Sequence, residues 1–440
     1  MSGDAKAAGT AGSSGTVGTG GATGTGGTVG TRGPVDTGGA AGPGGAGDGM
    51  RAGAFVYPWD VDGDPAAPGM LAGLGLAQVT LAASYHSTRA LTPRHPAHRI
   101  VTAEHAAVLY PPDPDRWSGR PLRPYPAGEW APGDAFGRAA EALAPTGLKV
   151  HSWVVLAHNS RLGAEHPETS VVNAYGDRYP WAPCVARPEV RELLVDLAAE
   201  AAVRPGAAGT ELESCGWYGL AHLHAHDKTG GVALGEREQY LMSLCFCPSC
   251  REGYGAEGAD PDELAAAVRG ALEPVWAGSG APGGLGALEG PAAAWRAGTA
   301  RGFQEAAVAA VRAAAPPGFR VLLHADPDPY RCGADTGTDP AHVLGLADGV
   351  VARPHRVAEF AAHARADTVL SANLSVVTGM GGAPDRLADD AERARAAGAT
   401  ELRLYHAGLA SDEDLAAVRT ALRKLVQEAR QVAASGSPAR

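Results

Sequence analysis

From residue 54 onward, short β-rich runs alternate with Ala-, Leu- and Arg-rich amphipathic runs. That alternation restricts the chain to α/β architectures. The runs predict strands at Ala54–Asp60, Ala77–His86, Leu148–Asn159, Thr210–Cys215, Arg320–Asp326, Gly349–Pro354, Thr368–Asn373 and Glu401–His406. The clearest helices between them are Pro188–Val203, Pro261–Trp276, Ala292–Ala315, Ala358–Ala366, Pro384–Ala397 and Asp412–Ala433. Arg187-Pro188-Glu189 places proline at a first helical position, and Ser411-Asp412-Glu413-Asp414 is a capping candidate with acids in the first turn.

Eight βα units fit a doubly wound sheet or a closed barrel. A doubly wound sheet usually carries a Gly-rich phosphate loop after its first strand. This chain instead reads Tyr57-Pro58-Trp59-Asp60. The expected fold is therefore α/β, a (β/α)8 TIM barrel with long βα loops. Such barrels typically take about 250 residues and tolerate insertions. The excess falls in two places, residues 87–133 and either 161–183 or 216–260, both strand-to-helix connections, and the Gly-rich stretch Ala277 to Pro291 splits the fourth helix.

Residues 1–50 are different material. They hold 19 of the 61 glycines and no Leu, Ile or aromatic residue. Such a segment cannot bury enough apolar area to offset its ordering entropy, so a disordered tail is expected there. Met50 sits directly before the first segment expected to be structured. Two readings stay open: Met50 is the true start, or the tail is genuine. One barrel domain is expected over 51–433, with a disordered tail at 434–440. The tail lacks the apolar stretch of a secretory signal, and no run of about 18 apolar residues exists for a membrane span. A cytoplasmic location is expected. The net charge of −11 argues against nucleic-acid or anionic-membrane partners, which need a basic footprint. Oligomeric state is not readable.

The last residues of the expected strands are Asp60, His86, Asn159, Glu213, Asp326, His355, Asn373 and His406. All are polar, whereas the strand bodies are apolar. Strand ends are wetter than strand middles in general, but three histidines and three acids with no Lys or Ser is a narrower selection. In a barrel these ends converge on the face where active sites are built.

Cys245-Phe246-Cys247-Pro248-Ser249-Cys250 is a CxCxxC run. Three thiols at that spacing can reach one tetrahedral Zn²⁺, and a closed structural site needs a fourth ligand. Cys184, Cys215 and the nearby histidines are candidates. Buried thiols or a Cys247/Cys250 redox pair are the alternatives, and six cysteines in 440 residues are no disulfide scaffold. Cys215 and Cys332 are expected simply to pack.

These residues resemble the glycoside hydrolase family 42 β-galactosidases. In that family a CxCxxC follows the fourth strand and pairs with an earlier Cys that precedes a Pro-x-x-Arg-Glu helix start. Here the matching pieces are Cys184, then Pro188-Glu189-Val190-Arg191-Glu192, then Cys245, Cys247 and Cys250. The resemblance implies Cys184 as the fourth ligand of a structural zinc. The stretches Lys149-Val-His-Ser-Trp153, His158-Asn159-Ser160-Arg161, His166-Pro167-Glu168, Asn173-Ala-Tyr-Gly-Asp177 and Glu211-Leu-Glu213 also resemble a group of uncharacterised bacterial glycoside-hydrolase barrels. The match is good over 148–255 and topological elsewhere.

Glycoside hydrolysis normally uses two carboxyl groups flanking the scissile bond. Glu211 and Glu213, two apart on strand four, point to the same side. The clan of family 42 ends strand four with its acid/base Glu, usually after Asn, which implies Glu213 as proton donor. Leu212 stands where the Asn would be, removing one substrate-binding amide. The clan's nucleophile Glu lies on strand seven, and Leu370-Ser-Ala-Asn373-Leu-Ser has no acid. Asp326, with Asp328, is the expected second carboxylate; Glu211 and Asp60 follow. Glu211 could instead be a buried acid held by Arg or His, and Asp328 a turn residue beside prolines.

Trp59, Trp217, Tyr218 and Tyr330 follow strand ends, as sugar-stacking faces or as loop packing. His222, His224 and His226 form HxHxH and are read as substrate hydrogen-bonders or loop anchors ahead of a metal set. His95, His98 and His105 are expected on the surface. The expected substrate-binding set is Asp60, Trp59, His158, Asn159, Trp217, Tyr218, His224, His324, Asn373 and His406, on a small carbohydrate. Rival readings are a catalytically inactive carbohydrate-binding barrel, and a metal-dependent hydrolase or isomerase using the loop histidines.

Overall fold

In the computed structural model, residues 50–223 and 227–435 are described. The expected 1–49 tail, His224, His226 and residues 436–440 lie outside them. Eight strands form the barrel, labelled here β1 Arg51–Val56, β2 Gln78–Tyr85, β3 Lys149–Val155, β4 Ala207–Glu213, β5 Arg320–Asp326, β6 Gly349–Ala352, β7 Val369–Ser375 and β8 Glu401–Tyr405. Each pairs in parallel with its neighbours in sequence order, and β1 pairs with both β2 and β8, which closes the sheet. Ala54 fixes the closure, opposite Leu404 on one side and Val79 on the other.

The expected strands all occur, with shifted ends. β1 stops at Val56, and Pro58 opens a 3₁₀ turn over Pro58–Asp60 because proline has no N–H for the ladder. β3 stops at Val155, and Asn159 caps the next helix, its side chain accepting from Leu162 N at 3.0 Å. β6 stops at Ala352, leaving His355 in the 3₁₀ turn Pro354–Arg356. The expected helix at Ala358–Ala366 is only Val357–Ala361. The split fourth helix is present as Pro261–Trp276 and Glu289–Ala314. The last helix, Asp412–Ser435, runs into the segment expected as a tail.

Two hairpins occupy the long connections: Thr88–Leu91 with Ile100–Ala103, and Ser170–Val172 with Arg178–Pro183. A two-residue strand, Thr336–Gly337, lies parallel to the end of β5. His95, expected on the surface, is buried under the first hairpin, stacked on His98 with Nε2 3.0 Å from the Asp62 carbonyl.

Leu212, Leu194, Phe303 and Val308 belong to one apolar layer, where burying side chains gives about 25 cal/mol per Å². The barrel interior is stratified differently. Its lower layer is ionic: Arg403 donates to Glu211 Oε1 at 2.6 Å and to Glu401 Oε2 at 2.9 Å, and Gln78 and Thr80 also donate to Glu211 Oε1. Gly209 makes room for it, since a Cβ there would sit 2.7 Å from His151 Nε2. Above lie Phe55 and Trp153, ring centroids 4.7 Å apart. That aromatic layer is the floor of the site.

Candidate active site

At the C-terminal end of the strands is a cavity of about 990 Å³. Its walls include Tyr57, Tyr85, Glu213, His324, Asp335 and Tyr405. Asn373 and His406 also reach it.

Glu213 is the last residue of β4, 7 % exposed. The Trp153 indole Nε1 donates to its Oε2 at 2.8 Å, from the adjacent strand. Burial raises the Glu213 carboxyl above its ordinary value, against the lowering pull of His324 and Trp153. A carboxyl kept protonated in an apolar pocket is the form a proton donor requires.

The second carboxylate of the cavity is Asp335, not Asp326. Asp335 Oδ1 lies 3.6 Å from His324 Nδ1, and its Oδ2 accepts from Arg353 Nε at 3.3 Å. Burial alone would raise this carboxyl, but hydrogen bonding and charge from His324, then Arg353, hold it below the ordinary value. The same His324 Nδ1 is 4.0 Å from Glu213 Oε2. The two carboxyls thus share one imidazole nitrogen as neighbour, which keeps them no farther apart than the roughly 9.5 Å that glycoside hydrolysis spans. Despite its burial, His324 is raised above its ordinary value by Asp335, Glu213 and Glu211.

Asp326 is occupied elsewhere. Its Oδ1 accepts from Arg356 Nη2 at 3.0 Å and from Asp328 N at 3.0 Å, and its carbonyl accepts from Thr338 N at 2.9 Å. It ties the β5 loop to the next turn and does not line the cavity. Asp328 is the turn residue, accepting from Tyr330 N. Glu211 is fully buried in the ionic layer; burial would raise its carboxyl, and the Arg403 guanidinium holds it far below the carboxylate range. It has no open side for substrate.

The comparisons with known proteins fit this geometry. The barrel superposes on α-L-fucosidase isoenzyme 2 from Paenibacillus thiaminolyticus with TM-score 0.53 and 14% identity, covering 86% of this chain and 49% of that one. It superposes on the PgaB (BpsB) glycoside hydrolase domain from Bordetella bronchiseptica with TM-score 0.52 and 15% identity, covering 85% and 98%. For a catalytic mutant of a GH42 β-galactosidase from G. stearothermophilus the values are 0.52 and 11%, covering 87% and 57%. The barrel is similar in fold to these glycoside-hydrolase barrels. At these identities the likeness is one of fold, and the chain spans about half the length of the fucosidase and of the galactosidase. No sequence profile of a known family matches, and no curated protein matches.

The remaining expected residues divide. His324, Asn373 and His406 line the cavity with Glu213. Asp60 ends the 3₁₀ turn, its Oδ2 accepting from Tyr57 N at 2.8 Å. Trp59 stacks behind Tyr57 at 4.5 Å. Trp217 donates to the Arg296 carbonyl at 2.9 Å, and Tyr218 to the His222 carbonyl at 3.0 Å, so both act in loop packing. Tyr330 packs on Tyr240. His158 is buried, stacked on Tyr218 at 4.2 Å.

Sequence reasoning passed over Tyr57, Tyr85, Tyr405 and Asp335. Period two from Glu401 and Arg403 marks Tyr405 as an inward end-of-strand aromatic, whereas Tyr85 is out of phase with Gln78 and Thr80 and follows a register shift between Ala82 and Ser84. Asp335 carries no such mark, because it sits nine residues after β5 and is brought back only by the Thr336–Gly337 pairing.

The cysteine cluster lies apart from the cavity lining. Cys184, Cys245, Cys247 and Cys250 are buried with all four sulfurs within 4.8 Å of one another, and Cys184 Sγ is 3.6 Å from both Cys247 Sγ and Cys250 Sγ. A tetrahedron with Zn–S bonds of about 2.3 Å has edges of roughly 3.8 Å. Backbone N–H groups of Val172 and Cys247 donate to Cys245 Sγ at 3.4 Å. The four residues fit a tetrahedral metal ion.

A second group, His86, His158 and His222, has ligand-capable atoms within 4.8 Å of one another. Burial lowers all three imidazoles, His86 to about 4. Among the described residues, no helix is long and apolar enough to cross a membrane.

Proposed function

We propose that the chain is a glycoside hydrolase acting on a small carbohydrate or glycoconjugate, with Glu213 as proton donor and Asp335 as its ionised partner. The observation that carries this reading is the opposite displacement of two carboxyls beside one imidazole: Glu213 up, Asp335 down. Environments that push paired carboxyls apart assign the acid and the base.

In this reading Glu213 passes its proton to the glycosidic oxygen as the bond to the anomeric carbon breaks. Asp335 faces the developing oxocarbenium ion and either attacks it or deprotonates the incoming water. Asp335 takes the place of the acid that β7 lacks. His324, with Nδ1 3.6 Å from Asp335 Oδ1, is a positioning residue whose charge keeps Asp335 ionised. Asn373, His406 and Tyr57 offer hydrogen bonds to sugar hydroxyls. The cysteines hold a structural zinc that pins the loop after β4 to the Ser170–Val172 hairpin, away from the chemistry.

The test is hydrolysis of a panel of aryl glycosides by the protein and by Glu213→Gln. Turnover that falls at least about 10²-fold in the variant, most for poor leaving groups, supports the reading. Absence of turnover on every sugar, with sugar binding retained, would make the barrel a binding module.

A further inference from the structure

We infer that His86, His158 and His222 form a second metal site, taking a divalent transition ion such as Zn²⁺ at the mouth of the cavity. These residues come from the end of β2, the segment after β3 and the loop after β4, so no local spacing announces them. Their rings converge: His86 and His158 centroids are 4.4 Å apart, and His158 and His222 5.4 Å apart. Their ligand-capable atoms lie within 4.8 Å of one another, close to the roughly 3.4 Å edge of a tetrahedron with Zn–N bonds of about 2.1 Å. His222 is exposed, its Nε2 3.4 Å from the Tyr218 hydroxyl, while His158 is buried and held by its stack on Tyr218.

The second observation lies in the outer partners. His86 Nδ1–H donates to the Ser87 carbonyl at 2.8 Å, which leaves the Nε2 lone pair free. Metal-binding histidines are held this way, with one nitrogen on a backbone carbonyl and the other on the ion. Three imidazoles on one ion leave a fourth position for water or a substrate oxygen. His86 and His222 also line the cavity, so that position opens onto the same space as Glu213 and Asp335. The site is independent of the cysteine cluster in residues and in ligand chemistry.

The experiment is metal binding by the tag-free full chain, with the cysteine-bound ion retained and labile metal washed out by a mild chelator. Titration with Zn²⁺ should show one further equivalent per chain. Co²⁺ in the same protein should give a spectrum without the sulfur-to-metal band of a thiolate site. His222→Gln and His86→Gln, both at less buried positions than His158, should each weaken that equivalent at least tenfold while the thermal melt without metal is unchanged. No second equivalent, or one that survives both substitutions, would overturn the inference. Neither readout uses turnover, so the result stands apart from the hydrolase reading.

Discussion

Glu213 accepts a hydrogen bond from the indole of Trp153 at 2.8 Å, between adjacent strands of the barrel. The donor is neutral, so it orients the carboxyl without adding charge. Burial outweighs the pull of His324, 4.0 Å away, and of this bond, and Glu213 stays above its ordinary value. Asp335 meets His324 and Arg353 and goes the other way.

A bell-shaped pH profile follows. kcat/KM should fall on the alkaline side as Glu213 loses its proton, at a pH above the ordinary glutamate value. It should fall on the acid side as Asp335 gains one, below the ordinary aspartate value. Glu213→Gln should remove the alkaline limb, and kcat/KM measured across pH checks it.

His324→Gln should move the acid limb upward, because Asp335 then loses the partner that holds it ionised. A purely structural role for His324 would lower stability and leave that limb in place. The position of the limb is the measurement.

Arg403→Met should cost about 3–5 kcal/mol, since it leaves Glu211 buried without its cation. Adding Glu211→Gln should recover most of the loss, because the uncompensated charge is then gone. Urea unfolding of the single and double variants reads both.

Asp60 is raised from 3.8 to about 7 by burial. The folded value exceeds the unfolded one, so the contribution is full below about pH 4 and is lost as pH rises through about 7. Asp60→Asn should flatten that loss, by at most about 4 kcal/mol between pH 4 and 8. Unfolding free energies at the two pH values decide it.

Removing the metal of the cysteine cluster, or Cys247→Ser, should loosen the Ser170–Val172 hairpin, whose backbone bonds Cys245 Sγ and Phe246 N. Hydrogen exchange should rise there first, with the barrel strands still protected.

The alternation of β-rich and amphipathic runs, read alone, determined eight parallel strands, the break in the fourth helix and a polar rim at the strand ends. These are local properties: period, helix starts and glycine content act within a few residues. The CxCxxC run likewise marked three of the four clustered thiols by spacing. Glu213 was legible because it ends a barrel strand on the same face as Glu211. Which acids face the cavity was decided by tertiary structure. Glu211 shares a strand face with Glu213, yet Arg403, 192 residues away, takes it into the ionic layer. Asp326 ends a strand but is claimed by Arg356, while Asp335 returns through the Thr336–Gly337 pairing. The His86, His158 and His222 group joins three separate connections. A carboxyl or imidazole takes its role from the charges and dielectric around it, and those are assembled only when distant segments pack.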